Sequence, residues 1–145
     1  MLFNTVLTIT TFIIMEFIAW FTHKYIMHGP LWNVHLDHHQ VDKKKKLQKN
    51  DYFFLIFAIP SIMAIILGSM NSNFLLYIGI GIALYGFAYF IVHEIIIHQR
   101  IKIFRNSKSR YIRAIKRAHK VHHKNIEKED GESFGMLLVP LKYFK

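Results

Sequence analysis

At 145 residues the chain has the length of one domain. Its residues are 52% hydrophobic and 15% aromatic, yet 19 Lys and Arg stand against 9 Asp and Glu for a formal charge of +10, so apolar and basic residues must be segregated along the chain. The absence of cysteine excludes disulfides, zinc ribbons and iron–sulfur clusters, and leaves any metal to nitrogen or oxygen ligands.

The first predicted element is Leu2 to Phe21, a stretch without Lys or Arg and long enough to cross the roughly 30 Å of a bilayer core. It lacks the basic start and small-residue cleavage site of a secretory signal and runs directly into a histidine motif, so it reads as a mature helix. Two further stretches of this kind follow, Tyr52 to Met70 and Phe74 to Val92. Three such stretches leave too little soluble protein to bury them, which predicts an all-α integral membrane protein of three to four transmembrane helices, one domain over 1–145. The uncharged Asn71, Ser72 and Asn73 between the second and third stretches predict a helical hairpin. Pro60 should kink the second span. Gly79, Gly81 and Gly86 should let the third span approach its neighbours closely, with room for a ligand as the alternative.

All 19 Lys and Arg fall in the two polar regions, 22–51 and 93–145, which an odd number of spans puts on one side. The positive-inside rule then predicts Met1 outside and a cytoplasmic cap formed by both regions. The basic run Lys43 to Lys46 reads as a solvated loop near lipid headgroups, and nucleic-acid binding is not expected because the basic residues hug the span ends. Ser109 to Asn125 sets Tyr111, Ile112, Ile115, Ala118 and Val121 among Arg113, Lys116, Arg117 and Lys120, which predicts an amphipathic helix at the membrane surface. The apolar tail Phe134 to Phe144 is too short to span and is expected to pack over the cytoplasmic helix ends.

Every histidine of the chain falls in this cap region or at its border, in a twice-repeated pattern. His23 and His28 form H-x4-H in HKYIMH, and His35, His38 and His39 form H-x2-H-H in HLDHH. The order recurs with His93 and His98 in HEIIIH and His119, His122 and His123 in HKVHH. Residues three and four apart share a helical face, so each H-x2-H-H can send two imidazoles to one ion and a third to a second. Five residues advance a regular helix by roughly 500°, leaving an H-x4-H pair about 140° apart. Either each member of such a pair serves a different ion or the helix end is distorted. Ten imidazoles exceed the needs of one ion and suit two; nitrogen ligands fit iron, zinc, copper or nickel and disfavour calcium and magnesium.

Asp37, Asp42, Glu94, Asp130 and Glu132 lie near enough in sequence to accept the second ring N–H of a ligand. Glu16 lies inside the first span on the face of His23, about 10 Å away along the axis. An acid in that position is a functional suspect, with a hydrogen bond to a neighbouring helix as the equal alternative.

HKYIMHG followed by LWNVHLDHHQ, then HEIIIHQR, AHKVHHK and the late GESFG, resemble the bacterial β-carotene hydroxylases, a branch of the fatty-acid hydroxylase and sterol desaturase superfamily. The resemblance runs from about Met15 to Phe134. It implies a non-haem di-iron centre held by all ten histidines, with zinc able to replace iron in purified protein. It also implies a monooxygenase that uses O₂ to hydroxylate C3 of the β-ionone ring, converting β-carotene to β-cryptoxanthin and zeaxanthin. Electrons would come from a ferredoxin-like partner reduced by NAD(P)H, an acidic protein suited to the basic face. The setting implied is the bacterial cytoplasmic membrane. A lipid-dissolved carotenoid would need a long apolar slot between helices, for which Phe17, Trp20, Phe87 and Tyr89 are the candidate lining.

Other readings fit less well. A fatty-acyl or sterol hydroxylase of the same superfamily is generally larger with more spans. A membrane metal transporter should hold its ligands near mid-membrane, whereas these histidines sit at one end. A b-type haem protein would leave at least six of them unexplained.

Overall fold

The Lys- and Arg-free stretches form three long apolar helices among the described residues of a computed structural model, which covers 1–40, 47–101 and 103–145. They are α1 (Leu2–Phe21), α3 (Phe54–Met70) and α4 (Leu75–Phe90). At the histidine-bearing end each helix is prolonged. A π-helical turn, Thr22–Met27, follows α1; a 3-10 turn, Lys49–Phe53, precedes α3; a second π-helical turn, Ile91–Ile97, follows α4. The continuous helical runs are then 26, 22 and 23 residues, about 33–39 Å at 1.5 Å per residue, enough to cross a bilayer. Ile13, Ile62, Ile66 and Leu84 are among the large apolar side chains left on the outside of the bundle, the surface a membrane protein offers to lipid. No strand occurs among the described residues.

α3 and α4 form the expected hairpin, and small residues set its spacing. A Cβ at Gly79 would stand 2.8 Å from the Ile65 nitrogen and 2.9 Å from the Ser61 carbonyl, so only glycine permits this approach. Ser61 Oγ–H donates to the Gly79 carbonyl at 2.8 Å, using the same close contact. Gly81 meets Thr8 and Thr11 of α1 in the same way, while Gly86 faces open space. Pro60 lies within α3 without ending it.

Two shorter helices complete the cap: α2 (Trp32–His39) and α5 (Arg110–His122). The Ser109 hydroxyl caps α5 by accepting the Ile112 N–H. The helix buries Ala114, Ile115, Ala118, His119 and His122. The apolar side is therefore shared with ligand-type residues, and Tyr111, expected on it, is exposed. The tail packs as anticipated: Met136 joins Val92, Ile96 and Ile115, and Tyr143 covers Ala114 and Ala118. Asp42 and Lys43 to Lys46 lie outside the described residues.

Candidate metal centre

Both H-x4-H motifs occupy the π-helical turns. The His28 N–H donates to the His23 carbonyl at 3.0 Å, and the His98 N–H to the His93 carbonyl at 2.9 Å. An i to i+5 hydrogen bond makes residues five apart one turn apart, so their side chains share a face. Of the two alternatives left open by the spacing, the distorted helix end is the one adopted. Each pair converges.

The H-x2-H-H motifs divide. His35 and His39, four apart on α2, join His23 and His28, whereas His38 turns to His93 and His98. On α5, His119 joins His93 and His98, and His122 crosses to the first group. The potential ligand atoms of His23, His28, His35, His39 and His122 all lie within 4.8 Å of one another, as do those of His38, His93, His98 and His119. His123 stands beside the second set, its ring centroid 4.4 Å from that of His119 and 4.7 Å from that of His38. Each half of the sequence repeat thus lends one histidine to the other half's cluster.

The outward-facing nitrogens fix the tautomers. His23 Nδ1–H donates to the Phe134 carbonyl (3.0 Å), His28 to Lys128 (3.1 Å), His39 to Asn125 (2.9 Å) and His122 to Glu132 (3.0 Å), all backbone acceptors. His35 donates to Asn50 Oδ1 (2.6 Å), His38 to Gln48 Oε1 (2.9 Å) and His93 to Glu94 Oε1 (2.5 Å). With the proton held at Nδ1, a neutral imidazole carries a bare lone pair at Nε2.

These bare nitrogens face one another. His23 and His35 Nε2 are 3.1 Å apart, His35 and His39 3.2 Å, and His28 and His122 3.3 Å. In the second set His98 and His119 Nε2 are 3.0 Å apart, a pair whose tautomers no Nδ1 contact fixes among the described residues. Two lone pairs at that distance repel unless a cation lies between them. Nitrogens bonded to one ion at about 2.0–2.1 Å stand about 3.0–3.4 Å apart. The Nε2 atoms of His38 and His123 are buried without a hydrogen-bond partner. The donor set fits two metal ions and is consistent with metal binding.

The residues around the clusters were only partly foreseen. Glu94 accepts from His93 Nδ1 while its other oxygen pairs with Arg100 Nε at 2.6 Å. Arg100 also pairs with Asp51 at 2.8 Å, tying the start of the second span to the end of the third. Among the described residues Asp37 accepts from no histidine ring; it accepts the Lys49 and Asn50 N–H groups (2.5 and 3.3 Å) and so orients Asn50 toward His35. Glu132 reaches His122 through its backbone carbonyl, while its carboxylate pairs with Lys142. Asp130 sits in the tail at φ +60°. Gln48 and Asn50, not singled out in the sequence, serve His38 and His35 from one short turn.

Of the four aromatic residues expected in a slot, Tyr89 stacks on His93 with centroids 5.0 Å apart. Phe17 stacks with Trp20, but Phe17 and Phe87 are 63% and 64% exposed on the bundle's outer surface. The four do not converge. The aromatic walls of the first cluster are instead Phe134, 5.0 Å from His28, and Trp32, 4.9 Å from His28.

Burial, with added repulsion between neighbouring imidazoles, holds the histidines outside the spans well below the ordinary range. His39 lies at about 4, His98 and His122 at about 3, and His35 and His123 at about 2. The unfolded chain takes up protons below about pH 6.5 and the folded chain does not, so stability present above that pH is lost as pH falls toward the lower values. Ligation by neutral imidazole steepens the same dependence. The melting midpoint of the detergent-solubilised protein should hold steady above about pH 6.5 and drop by several degrees toward about pH 5. A flat profile across that range would contradict neutral, buried imidazoles.

The family model described as fatty acid hydroxylase matches residues 8–142. Among curated relatives, the Pantoea ananas protein named "Beta-carotene hydroxylase" is 40% identical over 139 residues, covering 96% of this chain and 79% of the relative. A Pseudescherichia vulneris protein of the same name is 38% identical, covering 94% of this chain and 77% of the relative. One from a Paracoccus species is 33% identical, covering 94% and 85%. No solved structure matches the chain. A match that takes in all ten histidines, on a membrane-spanning helical frame, identifies the chain as a member of the fatty acid hydroxylase family.

Proposed function

We propose that this chain is a β-carotene 3-hydroxylase, which hydroxylates the β-ionone ring to give β-cryptoxanthin and then zeaxanthin. The observation that carries the reading is the pair of buried histidine sets with facing Nε2 atoms at the ends of apolar helices, together with relatives that bear that name. We assign His23, His28, His35, His39 and His122 to one ion and His38, His93, His98, His119 and His123 to the other.

The two histidine sets would hold two iron ions, which when bound would supply the activation of O₂ and the removal of hydrogen from an unactivated ring carbon. The balance is one C–H bond, O₂, two electrons and two protons giving C–OH and water. The protein's own part is to fix geometry and exclude water. Nδ1 contacts lock seven of the rings, burial disfavours protonation of the imidazoles outside the spans, and Tyr89 borders the second set where the ring would stop. Phe17 and Phe87 stand on the outer surface of the bundle, open to lipid. The electrons come from an acidic ferredoxin-like donor on the basic face. By the positive-inside rule that face is cytoplasmic, with Met1 outside, in the bacterial inner membrane.

Pigment analysis of bacteria that accumulate β-carotene tests the assignment. Expression of the native chain should yield cryptoxanthin and zeaxanthin. Unchanged β-carotene, with the protein in the membrane and loaded with metal, would move the substrate to another lipid, a fatty acyl chain or sterol.

A further inference from the structure

Glu16 is buried inside the first span, and its carboxylate is fully engaged. Oε2 accepts from the Tyr85 hydroxyl of α4 at 2.8 Å. Oε1 accepts three successive backbone N–H groups, Met136 (2.9 Å), Leu137 (2.8 Å) and Leu138 (2.9 Å). Three convergent amides make an anion nest, and charge-assisted bonds of this kind are strong. Glu16 is thereby the anchor of the tail.

Through its carbonyls the segment 125–134 holds one histidine set and not the other, while Met136 beyond it packs by apolar contact on Val92 and Ile96 of the second π-helical turn. Residues 125–134 present the carbonyls that hold His39, His28, His122 and His23, four of the five members of the first set. In the second set His38 and His93 are held by Gln48 and Glu94, outside the tail. The segment carries Asp130 and Ser133 at φ +60° and +62° without regular secondary structure. Such a path costs energy and persists only where something beyond it holds it in place. We infer that Glu16 is a positioning residue that latches the tail over the first set and governs retention of that set's ion alone. The inference rests on the reading that each set holds one ion.

The test compares Glu16→Leu and Glu16→Gln with the native protein, purified from membranes after growth in iron, by iron content, electron paramagnetic resonance and hydrogen exchange. The native protein should carry two ions. Glu16→Leu should carry one, with the signal of an isolated ferric ion, and its 125–138 amides should exchange faster. Glu16→Gln, whose amide oxygen can still accept from the nest, should keep nearly two. Two ions in Glu16→Leu, or loss of both, would overturn the inference. A native protein without iron would overturn the ion-pair reading separately; the latch is then judged by exchange, and unchanged exchange in Glu16→Leu overturns it. Should Glu16→Leu not reach the membrane, Glu16→Gln decides: its weakened nest should speed exchange of the 136–138 amides about tenfold, and an unchanged rate overturns the latch.

Discussion

Hydroxylation should fall more than about 100-fold when His122 is replaced by alanine, and the ion lost should be the one assigned to the opposite half of the sequence. Loss of a residue that merely supports a metal ligand already costs about 10–100-fold in affinity or activity, and His122 is assigned as a ligand itself. It sits on α5 beside His119 and His123 yet lies in the set of His23, His28, His35 and His39. His38→Ala is the mirror experiment. His38 sits on α2 between members of the first set, but its Nε2 faces the second. Each variant should retain one ion per chain and give no pigment product. If His122→Ala instead lost the ion held by His93 and His98, the interleaving would be wrong.

The second large effect is expected at a residue that binds nothing. Gly29 follows His28 at the end of the first π-helical turn, where a Cβ would lie 2.0 Å from the Tyr25 carbonyl oxygen and 2.9 Å from its carbon. Those are backbone atoms of the turn itself, so no side chain can move aside. Alanine there must push the chain out of the turn that brings His28 alongside His23. Overpacking of this kind costs about 1–3 kcal/mol or more, and a displacement of a ligand should lower metal affinity at the first set about 10–100-fold. Metal titration of Gly29→Ala against the native protein measures this, and unchanged affinity would mean that the π turn can be remade around a methyl group.

The spans were legible because a charge-free stretch of the right length has few other uses, and the observed helices begin and end within about two residues of the predicted ones. Helical spacing gave a reason for H-x2-H-H to divide two to one but not which member turns away, since residues three and four apart both share a face; the structure sends His38 and His122 to the opposite group. The H-x4-H pairs were not legible, since a regular helix separates them and only the change of hydrogen-bond register at the helix end restores a common face. The acceptors of His23, His28, His39 and His122 were out of reach for a different reason: they are backbone carbonyls, which leave no mark in residue identity. Glu16 announced itself as an acid among apolar residues, but its partners lie 69 residues away at Tyr85 and 120 or more away in the tail. Phe17 and Phe87 misled because apolar residues suit both lipid contact and helix packing, so hydrophobicity does not distinguish a slot from an outer wall.

The most direct test of the whole account is iron content combined with X-ray absorption on the native protein in detergent. Two ions per chain, each in a shell dominated by imidazole nitrogen at about 2.0–2.1 Å, is the result the two histidine sets predict. One ion per chain, or a shell dominated by carboxylate oxygen, would contradict it.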